Sequence, residues 1–265
     1  MSLAPVILLT LAGLPLAAQT SQQKGRQLVE ECLKAVGGKA FLEMRDRIQT
    51  GRAYQFSQEQ LRALAVVTSY VKYDPQPAAA GPDWLGVRER RDFGKDRSYG
   101  ALFADGKGYE ITFRGARPFP ESYMAQYRDR LRRDVFYLLK YRLEEPGMVF
   151  ESLGTEIVDL QPTDAVRITD ADNHSATVYL LRSSRLPIRQ EHTRRDTKTR
   201  EVIREVGHYS KYRTVAGVQL PWSTLVVRDN EKISEMFVET MEINRGLEDS
   251  LFTLQKGIKV LPELK

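Results

Sequence analysis

A chain of 265 residues with 40 Lys and Arg against 35 Asp and Glu carries a formal charge of +5 and a pI near 9.2. Opposite charges are interspersed, and the densest basic patch, Arg128 to Arg133, is broken by Asp129 and Asp134, so no polybasic tail offers a nucleic-acid surface. The one cysteine, Cys32, excludes an intrachain disulfide, and stability must come from an apolar core, for which this length suffices.

The first charged side chain is Lys24, and Leu3 to Ala18 runs mostly through Leu, Ala, Val, Ile, Gly and Pro to Leu16-Ala17-Ala18. This is the pattern of a secretory signal peptide, with cleavage expected near Ala18 and an exported product comprising residues 19–265. An apolar run of about 15 residues is short for a bilayer span, and Pro5 and Pro15 weaken a spanning helix further. The missing Lys or Arg before the run leaves an uncleaved anchor as the alternative.

Gly25 to Val36 reads as a helix, with Leu28, Val29, Cys32, Leu33 and Val36 at helical spacing and Gly37-Gly38 as its left-handed stop. A helical turn, Lys39 to Met44, follows. Strands are predicted at Arg47 to Phe56, Leu64 to Tyr73, Leu85 to Asp92, Arg97 to Ala104 and Gly108 to Arg114. The last two are joined by the hairpin turn Asp105-Gly106, and Asp74 to Pro82 is a loop. Helical period returns from Glu121 to Arg142, where Met124, Tyr127, Leu131, Val135, Leu138 and Leu139 form one stripe before Pro146-Gly147. Strands resume at Met148 to Leu160, Ala165 to Asp170, Ser175 to Leu181, Leu186 to Arg194 and Glu201 to Arg213. Two long ones close the chain around the turn Arg228-Asp229-Asn230-Glu231. The pattern is mainly β with α (α+β): one curved antiparallel sheet with helices on one face.

The two closing strands are apolar on both sides. Val218, Leu220, Trp222 and Val226 share one face of the first, and Ile233, Phe237, Met241 and Ile243 one face of the second. Leu225, Val227, Met236 and Val238 take the opposite faces. Such strands need two apolar neighbours, either two layers of protein or a core on one side and a ligand on the other. Both readings stand on the pattern alone.

Chemistry-bearing patterns are missing. No Gly-x-Ser-x-Gly elbow occurs, and Cys32 sits on the apolar stripe of a helix, as a small core residue. The three histidines, His174, His192 and His208, fall near successive strands. Hairpin counting brings His174 and His192 together diagonally but sets His208 about five residues, ~16 Å, along the strand. No metal site is expected. Neither a Walker-type loop nor Gly-x-Gly-x-x-Gly is present, and the aromatics lack a stacking pattern mixed with basic residues. No cofactor and no catalytic residue is expected; such a chain holds something and does not convert it.

The exported chain resembles the LolA/LolB-like periplasmic lipoprotein carriers and their outer-membrane lipoprotein-sorting relatives. The resemblance lies in Lys34-Ala35-Val36-Gly37-Gly38 leading through Phe41 to Thr50-Gly51, in Tyr179-Leu180-Leu181 with Leu186-Pro187-Ile188-Arg189, and in Tyr209-Ser210-Lys211-Tyr212-Arg213 with Gly217-Val218-Gln219-Leu220-Pro221. Glu242-Ile243-Asn244 with Leu251-Phe252 completes it. The resemblance implies a single curved antiparallel half-barrel of about 10–12 strands, with helices covering the concave face as a lid. It further implies a monomeric periplasmic carrier that binds the acyl chains of a lipoprotein or lipid in an apolar cavity and meets membrane-bound donor and acceptor proteins. A sensor module of the same fold with a membrane-protein partner is the alternative. The cavity and lid candidates are Met124, Leu131 and Leu138 on the long helix and Trp222, Phe237 and Met241 on the closing strands.

Overall fold

Two-residue turns with positive φ set the sheet. Both central residues are left-handed at Gln58-Glu59, Asp105-Gly106, Asp159-Leu160, Ala216-Gly217 and Asp229-Asn230, the backbone that matches the natural twist of a tight hairpin. The computed structural model describes residues 20–75, 84–94, 99–195 and 199–263. The expected signal peptide, most of the loop after Asp74, the first residues of the strand expected from Arg97 and the turn near Thr197-Lys198 lie outside the described residues.

Helix α1 (Ser21–Ala35) begins earlier than its apolar stripe, because Thr20 and Gln23 form a capping box at the N-terminus. Gly37 and Gly38, both at positive φ, end it, and α2 (Lys39–Leu42) follows. A first meander then runs through β1 (Asp46–Ser57), β2 (Gln60–Tyr73), β3 (Val87–Phe93), β4 (Tyr99–Ala104), β5 (Lys107–Thr112) and β6 (Gly115–Pro118). The expected single helix is broken at Asp134, which is extended (φ −58°, ψ 130°). It yields α3 (Glu121–Arg133), α4 (Val135–Tyr137) and a π-helical turn, Leu138–Arg142.

The second meander comprises β7 (Val149–Val158), β8 (Gln161–Thr169), β9 (Ser175–Leu181), β10 (Pro187–Arg195) and β11 (Val202–Ser210). The chain then leaves the sheet for a separate hairpin, β12 (Arg213–Val215) with β13 (Val218–Leu220). It returns as β14 (Ser223–Arg228) and β15 (Glu231–Ile243). Lys211 at positive φ and Pro221, which has no N–H for a ladder, bound the excursion. A strand through Glu201 to Arg213 and one from Val218 to Val226 are therefore each split.

Pairing of β1 with β15 joins the meanders into one antiparallel sheet of 13 strands, ordered β6-β5-β4-β3-β2-β1-β15-β14-β11-β10-β9-β8-β7. The expected count falls short by β6, whose four residues carry no period of their own. The sheet is open, with β6 and β7 at its edges, and the segment from Glu121 to Arg142 carries the chain from one edge to the other. The helices lie on one face. Leu28, Val29, Cys32 and Val36 of the α1 region, Phe41, Val135, Leu138 and Leu139 share a core with Phe150, Val166, Ile168, Val178 and Leu180 of the second meander. A smaller cluster sets Met124 and Tyr127 of α3 on Leu85, Ala101 and Phe103. Gly25 is buried where α1 crosses β7, and a Cβ there would lie 2.6 Å from the Phe150 carbonyl oxygen, so only glycine permits this approach.

Candidate functional site

Where α1 packs, the sheet face is filled. Over β1, β2, β3, β14 and β15 the strap formed by α3, α4 and the π-turn stands off the strands and leaves a half-open cavity of about 470 Å³. Its floor is read from the register: Arg47, Gln49, Ala53 and Gln55 on β1 alternate with outward residues and align with Val71, Ser69, Ala65 and Ala63 on β2. Glu89, Arg91 and Phe93 continue the rows on β3, and Ser234, Met236 and Val238 on β15. From Arg47 to Gln55 the floor spans about 26 Å at ~3.3 Å per residue. The site is a slot.

Four anchors hold the strap over the slot. Asp134 breaks the helix because its carboxylate accepts the Phe136 and Tyr137 N–H groups, both at 3.0 Å, capping α4 anew. Beside it Gln190 of β10 accepts from the Val135 N–H at 2.8 Å and donates to the Arg133 carbonyl at 2.6 Å. Lys140 donates to the carbonyls of Phe41, Leu42 and Met44 at 2.8–3.1 Å, at and just past the end of α2. The Tyr141 hydroxyl bridges the carbonyls of Asp74 and Gly86 at 3.0 and 2.8 Å.

One end of the slot is charged. Arg91 forks onto Glu89 at 2.7 and 2.8 Å, and Tyr127 approaches the same carboxylate at 3.5 Å. Burial works to raise the Glu89 carboxyl, but Arg91, then Arg47 and Arg130, outweigh it and hold the group below its ordinary value. Asp134 goes the other way: burial dominates its two backbone donors and Arg47 and Arg130, and its carboxyl is raised. Burial also brings the Lys140 ammonium down to about 8 and depresses the His192 imidazole. The rest of the lining mixes polar residues, Gln49, Gln55, Ser69, Thr224, Ser234 and the carboxylates Glu205 and Glu235, with apolar and aromatic ones, including Val67, Phe93, Leu131, Phe136, Met236 and Val238.

Of the six cavity and lid candidates, Leu131 lines the slot. Met124 is buried in the α3 cluster and borders an adjoining cleft of about 260 Å³. Leu138, Trp222 and Met241 are core residues; the Arg213 guanidinium lies 4.2 Å from the Trp222 ring. Phe237 pairs with Ser223 and Arg52 on the face away from the slot and packs edge-on to Tyr54 at 5.8 Å. Strict alternation sets Phe237 and Met241 on one face, but a bulge opposite Thr50/Gly51 inserts one residue between them and reverses the parity. The charged end, Arg47, Glu89, Arg91 and Asp134, was missed. Its signal was the run Val87-Arg88-Glu89-Arg90-Arg91, which charges both faces of a strand central to the first meander.

His192 and His208 lie on the neighbouring strands β10 and β11, on opposite sheet faces, with His208 paired to Arg189. Among the described residues one group sets three ligand atoms within 4.8 Å of one another, Asp170, Asp172 and His174. It belongs to the β8–β9 turn, outside the slot, and Asp170 is already engaged by Arg142 at 3.1 Å and by backbone N–H groups.

Similar solved structures include a DUF1329 family protein from Desulfovibrio piger, with TM-score 0.59 and 12% identity over 88% of this chain and 98% of that one. A putative outer membrane lipoprotein-sorting protein domain from Vibrio parahaemolyticus gives 0.58 and 13% over 88% and 97%. A LolA superfamily protein from Nitrosomonas europaea gives 0.53 and 12% over 86% and 97%. No family model and no curated protein matches the chain. At such identities the likeness is one of fold, and the fold is the LolA-like one that the sequence motifs implied.

Proposed function

We propose, from this LolA-like fold, that the protein is a periplasmic carrier whose slot holds the acyl chain of a lipid or lipoprotein without covalent chemistry. The observation that carries the reading is the slot itself: long, half-open, roofed by a strap and lined along its middle by Val67, Phe93, Leu131, Met236 and Val238. A volume near 470 Å³ lies within the ~300–1,000 Å³ of single small-ligand sites, and each methylene taken from water contributes about 0.8 kcal/mol. The sorting protein and the LolA superfamily protein among the similar structures support a carrier by their fold.

Native mass spectrometry of protein recovered from the periplasm tests this. Carriage requires co-purifying acyl ligand, and Met236→Asp, which sets a charge on the slot floor, should lose it while remaining folded. A folded Met236→Asp variant that retains its ligand would place the acyl chain elsewhere.

A second reading, a sensor module that engages a membrane-protein partner, is favoured by edge strand β7 and its turn, where Ile157 is 69% and Leu160 95% exposed. The two readings separate on lipid. A ligand-free protein whose partner binding is lost in Ile157→Lys would support sensing over carriage.

A further inference from the structure

The arginines of this chain are mostly paired. Arg91 forks onto Glu89, Arg88 onto Asp74 at 2.8 and 2.6 Å, and Arg142 reaches Glu145 and Asp170. Arg47 is different. Its Nε is buried without a hydrogen-bond partner, and its side chain forms no hydrogen bond or ion pair with any described residue, yet it stands on the slot floor. Arg133, Arg189 and Arg228 also have a lone Nε, but each is paired through another nitrogen, with Asp129, Glu191 and Glu205. Arg117 is solitary too, on edge strand β6 and outside the slot lining.

The surroundings of Arg47 are short of negative charge. Glu89 and Asp134 lie within electrostatic range of Arg47 and Arg130, and Glu89 is already taken by Arg91. Asp134 spends one oxygen on two backbone N–H groups. Three guanidiniums, Arg47, Arg91 and Arg130, therefore stand near Glu89 and Asp134, while the other two lining carboxylates, Glu205 and Glu235, are paired with Arg228 and Lys232. Lys140 adds a cation that has carbonyl and ring partners but no carboxylate. A guanidinium of a half-buried arginine whose Nε is buried without a partner is under-satisfied, whereas an entering anion would accept its donors in charge-assisted, often bidentate bonds. The apolar lining begins in the next rows, with Val67 and Phe93 paired across β2 and β3 and Val238 across β1.

We infer that the slot recognises an anionic single-chain amphiphile, its carboxylate or phosphate on Arg47 with Arg130 above, its chain along Val67, Phe93, Val238 and Met236. The inference rests on the carrier reading and names its ligand class: an acid head group, inserted first, sets the register of the chain. Arg130, exposed on α3, closes the head group from the strap side. Carboxylate and phosphate share this chemistry, and only binding distinguishes a fatty acid from a phosphorylated lipid or a free anion.

Isothermal titration calorimetry with the whole exported chain, below the critical micelle concentration, separates these cases. Oleate or oleoyl lysophosphatidate should bind at least about tenfold more tightly than monoolein, which has the same chain and no charge. Inorganic phosphate and acetate alone should give no measurable heat. Arg47→Gln should bring the acid ligands to the affinity of monoolein, and Arg47→Lys should restore part of the difference. Equal binding of oleate, lysophosphatidate and monoolein to the wild-type chain overturns the anion site but leaves carriage standing, and this arm needs no variant. A preference that survives in folded Arg47→Gln also overturns it. Phosphate binding as tightly as lysophosphatidate overturns the amphiphile in favour of a free anion. Failure of every amphiphile, monoolein included, overturns carriage as well.

Discussion

The two halves of the sheet present the same face to the helices and use it differently. On β7 to β9 that face is Phe150, Val166, Ile168, Val178 and Leu180, and the α1 region fills it with Leu28, Val29, Cys32 and Val36. On β1 to β3 the same face reads Arg47, Gln49, Val67, Ser69, Val71, Glu89 and Arg91, and only the strap stands above it. A helix with an apolar stripe can close on the first face at the density of a protein interior. It cannot close on the second without stranding charges, so the space remains. The half that is filled stabilises the molecule, and the half that is unfilled is free to take a ligand.

The largest effect should come from charging the filled half. Val166 is fully buried under α1, and Val166→Asp should cost more than about 3 kcal/mol by leaving a carboxylate without a partner, read as loss of the cooperative urea transition. Met236→Asp, half-buried over the slot, should cost within about 1 kcal/mol. Similar losses at the two positions would erase the distinction.

Next in size is the charged end. Glu89→Gln takes the fork from Arg91 and should cost about 1–3 kcal/mol at neutral pH. The Glu89 carboxyl is held below its ordinary value by Arg91, Arg47 and Arg130 against the opposing effect of burial, so its contribution is present above the unfolded carboxylate range. It is lost as pH falls through the lowered folded value. The stability gap between wild type and Glu89→Gln, measured by urea unfolding at stepped pH, should therefore hold near neutrality and narrow below about pH 4.5. A gap that widens in acid would mean that another group, not Glu89, governs.

Phe237→Asp sharpens the comparison from the outer face. It removes the Tyr54 edge contact and the Lys211 cation–π contact, a loss of about 1 kcal/mol, and should leave bound acyl ligand in the native mass spectrum unchanged. Loss of ligand from a folded variant would move the binding face. The smallest effect concerns Cys32, where burial pushes the thiol up to about 12. An aromatic disulfide reagent should leave it unmodified in the native protein and label it fully in urea.

Much of the sheet was legible because its signals are local. Asp105-Gly106 and Asp229-Asn230 mark hairpins by backbone chirality, and both turns form as read. Gly37-Gly38 marks the end of α1 in the same way. The break at Asp134 escaped, because helical spacing continues unbroken through Leu131, Val135 and Leu138 and only Gln190, 56 residues on, supplies the partner for the exposed backbone. The slot was legible only as strands apolar on both faces.

By itself the sequence determined the alternation, the turns, the helix stripe and hence an antiparallel sheet with helices on one side, because each of these is written within a few residues of chain. Tertiary structure alone decided which half of the sheet is covered, that a bulge turns Phe237 away from Met241, and that Arg47 lies beneath the strap without a hydrogen-bond or ion-pair partner among the described residues. Those outcomes depend on residues distant in sequence meeting in one register. A one-residue shift between β1 and β15 exchanges the faces without altering the local pattern.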